Sequence, residues 1–317
     1  MFTQQSLTRR NVTTALLAAV LLACGASACD SLDDQLESTS GSLSSNDFFD
    51  DSRTLFVRVK TCDWSAVAAH PAATCSVDPG FVLIGGGAEV EGSSPNALLT
   101  ASAPVNLSTW LAASKDQLVS SPHRVRAYAV GLQVIGQDEA TLRAAMRFTS
   151  AQSSPAAQHS TETVQLPIGF VAVSGGAIIG YHPEAGALLT ESFSPDQVSS
   201  WKGSDKDHGL TDFNNITVTA IGLPACISDT CFDMRTDSAS QFVTTGFAAA
   251  SVSTPPGYVP ASVGGQSQYN GNGRMLTKLI PFNAAGGAGA WVQSKDHVYA
   301  TSGWTNVFTV SLRKLVF

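Results

Sequence analysis

The chain has 317 residues, a formal net charge of −7, and 14% charged against 44% hydrophobic residues. No basic cluster is present that could follow a phosphate backbone, so nucleic acid is excluded as the expected partner. Reading from the start, Arg9-Arg10 precede an apolar run from Thr14 to Ala23, the order of an export signal over residues 1–23. The run is shorter than the roughly 20 apolar residues that span a bilayer, and no later segment reaches that length, so no transmembrane helix is expected.

Leu21-Leu22-Ala23-Cys24 resembles the lipobox of bacterial lipoproteins. The resemblance implies that Cys24 is acylated, becomes the first mature residue and anchors the protein to a lipid bilayer, with the outer membrane of a Gram-negative envelope as the expected location. Ala26-Ser27-Ala28 before Cys29 is a competing cleavage site, and Thr8-Arg9-Arg10 resembles a twin-arginine signal that Asn11-Val12-Thr13 completes poorly, which leaves Sec export as the expectation. Residues 24–52 are rich in Ser, Asp and Gly, lack Lys and Arg, and carry seven acids from Asp30 to Asp51. A stretch this polar cannot bury enough apolar surface to offset its ordering entropy, so a disordered acidic tether is expected. Without the signal's two Arg the net charge is −9, and the seven tether acids account for all but −2 of it.

From residue 54 onward a single pattern recurs about every ninety residues: Gly-(Phe/Tyr)-Val, a Gly-Gly pair, Leu-Thr, Trp, and Ser or Asp before Lys-Asp-(Gln/His). The copies start at Gly80, Gly169 and Gly257 and define repeats at 54–135, 142–223 and 241–317. In the first, Leu55 to Lys60 alternate apolar and polar as a half-buried strand does, and Phe81 to Val90, Ala97 to Ser102, Trp110 to Lys115 and Val125 to Val134 are further strands. Gly92-Ser93-Ser94-Pro95 and Ser120-Ser121-Pro122-His123 are turn signals. Val130, Ile221 and Val310 coincide on the closing strands of the three copies. The linkers run from Gly136 to Thr141 and from Pro224 to Ser240. Helical periodicity is nearly absent, and the class is all-β and antiparallel.

The spacing from Leu-Thr to Trp grows as 10, 11 and 14, which marks a surface loop. From Trp to Asp it is 6, 6 and 5, so the third copy requires a bulge or a shifted alternation there. Three repeats packed around a pseudo-threefold axis, as in a β-prism, would bury sheet faces that three separate beads leave wet, and the packed body is favoured. The region resembles β-modules found in several copies in exported bacterial proteins, without an assigned activity. The resemblance rests on Gly80-Phe81-Val82, Gly86-Gly87-Ala88, Ala97-Leu98-Leu99-Thr100, Ser114-Lys115-Asp116, Ala127-Tyr128-Ala129-Val130-Gly131 and their later counterparts.

Exported chains usually pair their cysteines, and Cys62 with Cys75 and Cys226 with Cys231 are the local pairings. A metal reading of Cys226 and Cys231 lacks a second half-site, so no metal or other cofactor is expected. The recurrent polar cluster supplies the candidate binding residues: Trp110, Lys115 and Asp116; Trp201, Lys206, Asp207 and His208; Trp291, Lys295, Asp296 and His297, with Gln117 in place of His in the first copy. Trp platforms with Asp acceptors and Lys or His donors could hold a surface glycan or protein three times over. An Asp just after a strand more often fixes a turn through backbone N–H groups. No catalytic residue is assigned, because no nucleophile stands at a diagnostic spacing. The Gly85-Gly86-Gly87 run lacks the helix that a phosphate loop needs and points to close backbone packing. His182, His70, His123 and His159 read as surface or turn residues. The expected function is a non-enzymatic, envelope-anchored binding or structural protein, the alternative being a secreted hydrolase using the Asp and His of one repeat.

Overall fold

The computed structural model describes residues 44–92, 96–180, 186–269 and 271–316. The signal segment, Cys24, Cys29, the tether up to residue 43, Ser93-Ser94-Pro95 and His182-Pro183-Glu184 lie outside the described residues. The described chain is all-β and antiparallel, with one short helix.

The first repeat forms β2 (Leu55–Thr61), β3 (Ala72–Ser76), β4 (Val82–Val90), β5 (Ala97–Pro104), β6 (Thr109–Asp116) and β7 (Val125–Val134), preceded by β1 (Ser44–Phe49). Helix α1 (Glu139–Ala145) follows, capped by Asp138, whose carboxylate accepts from the Thr141 N–H at 2.8 Å. The second repeat forms β8 (Arg147–Gln152), β9 (Thr161–Gln165), β10 (Phe170–Ile179), β11 (Leu188–Phe193), β12 (Ser200–Lys206) and β13 (Ile216–Pro224). After β14 (Cys226–Ile227), the third comprises β15 (Thr230–Val243), β16 (Phe247–Ser253), β17 (Val259–Pro260), β18 (Gly264–Tyr269), β19 (Arg274–Ile280), β20 (Gly289–Asp296) and β21 (Gly303–Lys314).

No repeat has a sheet to itself. The sheet orders are β1-β2-β7-β4-β19-β20-β16, β3-β6-β5-β10-β13-β8 and β14-β15-β21-β18-β11-β12-β9, with β17 pairing β21. Each sheet therefore joins half of one repeat to half of another. The strand with the Gly-Gly pair always meets the Leu-Thr strand of a different repeat: β4 meets β19, β10 meets β5 and β18 meets β11. The seam residues differ in chemistry. Glu89 faces Lys278 in the first sheet, Ile178 faces Ala101 in the second, and Gln266 faces Glu191 in the third.

The glycine pairs make these seams and the packing beneath them possible. A Cβ at Gly86 would stand 2.3 Å from the Trp110 ring, and one at Gly175 would stand 2.4 Å from the Trp201 ring. Close packing against backbone and indole, the role expected for the glycines, is therefore their role here. Trp110 and Trp201 are each 1% exposed, and their indole N–H groups donate to Ser102 Oγ (3.1 Å) and Ser192 Oγ (3.0 Å). All three Leu-Thr strands carry a β-bulge at the Thr, where the register against the Trp strand shifts around Thr100, Thr190 and Thr277. The loops after these strands lengthen from 105–108 to 194–199 to 281–288, as the spacing predicts.

Several expectations need correction. Ser44–Phe49 is a strand paired to β2, so the last part of the tether is ordered. Buried Asp50 explains its end: the carboxylate accepts from the backbone N–H groups of Thr54, Leu55 and Lys314, each at 2.9 Å, fastening it to the chain's C-terminal strand. Leu142 belongs to α1, and the second repeat's strands begin at Arg147. The second linker is mostly strand, because β15 runs along β21 from Phe232 to Val243. Both cysteine pairings are present, Cys62–Cys75 with Cα atoms 5.5 Å apart and Cys226–Cys231 with 3.9 Å.

Candidate functional site

The three Lys-Asp-(Gln/His) endings close β6, β12 and β20. Opposite each Lys stands a buried apolar residue: Leu98 pairs with Lys115, Leu188 with Lys206 and Met275 with Lys295. Leu98, Leu188 and Met275 touch one another as a small core of their own, so the three endings converge on one place. All three lysines are buried.

Each ending reaches into the next repeat. The Gln117 amide donates to the His208 carbonyl, and its Oε1 accepts from the Gly186 N–H at 3.1 Å. His208 bonds through Nε2 to the His297 carbonyl (2.8 Å) and through Nδ1 to the Asn272 carbonyl (3.2 Å). His297 Nε2 lies 3.0 Å from Asn96 Oδ1, back in the first repeat, and the His208 and His297 rings meet edge to face at 5.0 Å. The lysines follow the same direction. Lys115 stands in the field of Asp205 and Asp212, the Lys206 ammonium donates to the Asn272 carbonyl, and the charge of Lys295 bears on His123. The order is one to two, two to three and three to one.

Burial dominates the electrostatics. It lowers the pKa of Lys115 and Lys206 and brings Lys295 down to about 8, because an ammonium loses its hydration there. Burial, the charge of His208 and that of Lys295 push His297 down to about 4. His208 is lowered by burial although two carbonyls favour its proton. Asp205, where the other copies have Ser114 and Ser294, is raised to about 7 by burial, with repulsion from Asp212 and Asp207 adding to it.

Two of the motif's aspartates, Asp116 and Asp296, fasten turns. Asp116 accepts from the Ser121 N–H (3.0 Å) and faces His70 at 3.4 Å, and Asp207 faces His159 at 3.1 Å. Asp296 accepts from the N–H groups of Gly246 (3.0 Å) and Thr301 (3.1 Å) and from Thr245 Oγ1 (2.9 Å). Beyond each Gln or His the backbone turns through positive φ, at Leu118 (63°), Gly209 (76°) and Val298 (63°). The bonds Val119 N to Gln117 O and Tyr299 N to His297 O, both 2.7 Å, make two of these γ-turns, a strained geometry for non-glycine residues.

The tryptophans do not join this cluster. Trp110 and Trp201 are sealed in the core and cannot act as platforms. Trp291 is not their equivalent: six positions before Asp296 stands buried Ala290, so Trp291 falls on the opposite face, half-buried, with Lys278 Nζ 5.4 Å from its ring centre. A shifted alternation thus accounts for the 6, 6, 5 spacing. His123 is also corrected, being buried with Nε2 2.8 Å from Ser114 Oγ and Nδ1 2.8 Å from the Ser121 carbonyl. Ser114 is buried with it. In the third repeat the arrangement is rebuilt around fully buried Arg274, which donates to the carbonyls of Thr301 and Gly246 beside Gly303, where a Cβ would stand 3.0 Å from the Arg274 Cδ.

A second cluster lies outside the threefold pattern, being present in one copy only. On the third sheet Trp304 (46% exposed) and Phe242 (44%) are cross-strand partners with ring centres 5.2 Å apart. Next to them a hydrogen-bonded row crosses the strands: Asn306 Nδ2 to Gln266 Oε1 (2.8 Å), Gln266 Nε2 to Glu191 Oε1 (2.9 Å), Ser204 Oγ to Glu191 Oε2 (2.9 Å) and Thr161 Oγ1 to Ser204 Oγ (3.0 Å). Lys202, 2.6 Å from Glu191, balances its charge. The alternation of Trp304, Asn306 and Phe308 with buried Thr305, Val307 and Thr309 carried the signal.

Among the described residues no His, Cys, Asp and Glu group forms a metal cluster, and no helix is long and apolar enough to cross a membrane. No family model matches the chain, and no curated protein matches its sequence.

Proposed function

We propose that this protein is an exported, lipid-anchored and non-enzymatic binding protein of the bacterial envelope, its repeats packed about a pseudo-threefold axis as in a β-prism. The Lys-Asp-(Gln/His) endings serve the body, each clasping the next repeat. The ligand surface is the outer face of the third sheet. The observation that carries this reading is the exposed Trp304–Phe242 pair beside the Asn306–Gln266–Glu191 row. Aromatic rings at this exposure offer a platform for the C–H faces of a sugar or for a peptide side chain, and neighbouring amides supply both donors and acceptors. The two disulfides suit an oxidising compartment outside the cytoplasm.

A glycan array probed with the mature protein tests the assignment. Binding that falls at least tenfold in Trp304→Ala and persists in Trp291→Ala supports it. Binding that survives Trp304→Ala and Phe242→Ala together places the ligand elsewhere.

A further inference from the structure

The loops beyond the three clasps present apolar side chains to solvent. Val119 is 56% exposed and Val298 60%, and Leu118, Leu210 and Tyr299 are exposed beside them. These belong to one surface. A Cβ at Gly209 would come within 2.5 Å of the Leu118 Cδ1, and the Tyr299 ring lies 6.2 Å from that of His208. Two of the turns that hold them out have Leu and Val at positive φ, a conformation that a glycine would adopt without strain. Among the described residues Asp116 and Asp296 accept backbone N–H groups and the three lysines are buried, while Arg124 and Glu91 form an exposed ion pair and Asp207 pairs with His159. Among the described residues, the tips of these turns carry aliphatic side chains and one tyrosine.

The route of the chain identifies what this apex faces. In the β1–β2 ladder Ser44 pairs with Thr61, and Thr61 pairs in turn with Tyr128, close to where β7 begins after His123. Ser44 therefore enters the body at the end that carries the Leu118–Val119 turn. Cys24 stands twenty residues earlier. A chain of that length spans at most about 70 Å. An anchor at Cys24 would tether the body from this end.

We infer that the apex formed by Leu118, Val119, Leu210, Val298 and Tyr299 is a membrane-docking surface that seats in the interface of a phospholipid bilayer. The aliphatic tips enter the acyl boundary while the Tyr299 hydroxyl stays at headgroup level. Docking fixes the orientation of the body and holds it at the lipid surface. This inference rests on the anchored reading for its biological setting and has its own physical test.

The chain from residue 24 onward, carrying Cys24→Ser so that it cannot be acylated, is mixed with vesicles of phosphatidylethanolamine and phosphatidylglycerol and floated on a density gradient. The expected result is co-flotation, reduced at least tenfold in the triple variant Val119→Asn, Leu210→Asn, Tyr299→Ser, with an unchanged melting transition. Ile168→Asn, which alters an exposed apolar residue in the loop before β10, should float like the parent. A parent that stays at the bottom, or a triple variant that floats equally well, overturns the proposal. Self-association without vesicles that the triple variant abolishes assigns the apex to a second copy and also overturns it. Fatty-acid labelling of the wild-type chain is scored separately: unlabelled Cys24 with a floating parent removes the anchor and leaves the apex, and the reverse removes the apex alone.

Discussion

The Nε2 atom of His208 lies 2.8 Å from the backbone carbonyl of His297, joining equivalent residues of two repeats through side chain and main chain. A motif repeated in the sequence has become a set of joints between its own copies, with Gln117 able to occupy one of the three places because its amide both donates and accepts. The chemistry of these joints leads to the first two predictions.

His297 has an ordinary value of 6.5 that the fold lowers to about 4, so the folded state holds the ring neutral. Its contribution is complete above pH 6.5 and is lost as pH falls from 6.5 through 4, an effect on the order of 3 kcal/mol. His297→Gln, which copies the first repeat, should flatten that part of the stability curve relative to wild type. Urea denaturation at pH 7, 5 and 4 measures it, and parallel curves would count against a buried neutral ring.

Asp205 runs the other way. Its pKa is raised from 3.8 to about 7, so the stability tied to the protonated acid is complete below pH 3.8 and is lost as pH rises through 7, on the order of 4 kcal/mol in all. Asp205→Asn should therefore gain on wild type between pH 5 and 8 and match it near pH 3.5. An equal response of both proteins to pH would show that the carboxyl ionises freely.

The tryptophans separate by burial. Trp201→Ala should cost about 3–5 kcal/mol, since it empties a sealed core site over Gly175, while Trp291→Ala should cost less than about 2 kcal/mol. Gly175→Ala should destabilise as well, because its Cβ has no room beside the indole. Chemical denaturation ranks the three variants. A Trp291→Ala loss as large as that of Trp201→Ala would restore the equivalence the motif suggests.

Turn fastening predicts an order among the aspartates. Asp296→Ala breaks two backbone bonds and one hydroxyl bond and should cost about 2–3 kcal/mol, against about 1 kcal/mol for Asp116→Ala, which breaks one backbone bond. Thermal melts of the single variants give the comparison. Equal losses would mean that the motif's charge, rather than its hydrogen bonds, matters to the fold.

Strand positions, antiparallel class, cysteine pairs and glycine packing were legible because each leaves a local mark: alternation, short loops, or a Gly where no Cβ fits. Partnership was not. The pairing of β4 with β19 uses residues almost two hundred positions apart, and a repeated sequence does not say whether its strands pair within a copy or between copies. The last tether residues mislead for a related reason, since Asp50 counts as solvent-seeking in composition, yet in the fold it accepts three backbone N–H groups. Trp291 shows the converse, where an intact motif letter sits one position off and a period of two turns it to the other face. Trp304 leaves no repeated mark, because its chemistry belongs to one copy only.

The sharing of sheets between repeats says something about a repeat in isolation. Cut free, one unit would expose two half-sheets whose open seams match those of its own kind, as β4, β10 and β18 each match a Leu-Thr strand of another copy. Such a fragment could be completed by two further molecules, and covalent fusion replaces that three-body encounter with neighbours held at high effective concentration. In the present chain the strands that complete each half-sheet are supplied by another stretch of the same polypeptide, so the three shared sheets are free to differ in sequence and in the work they do.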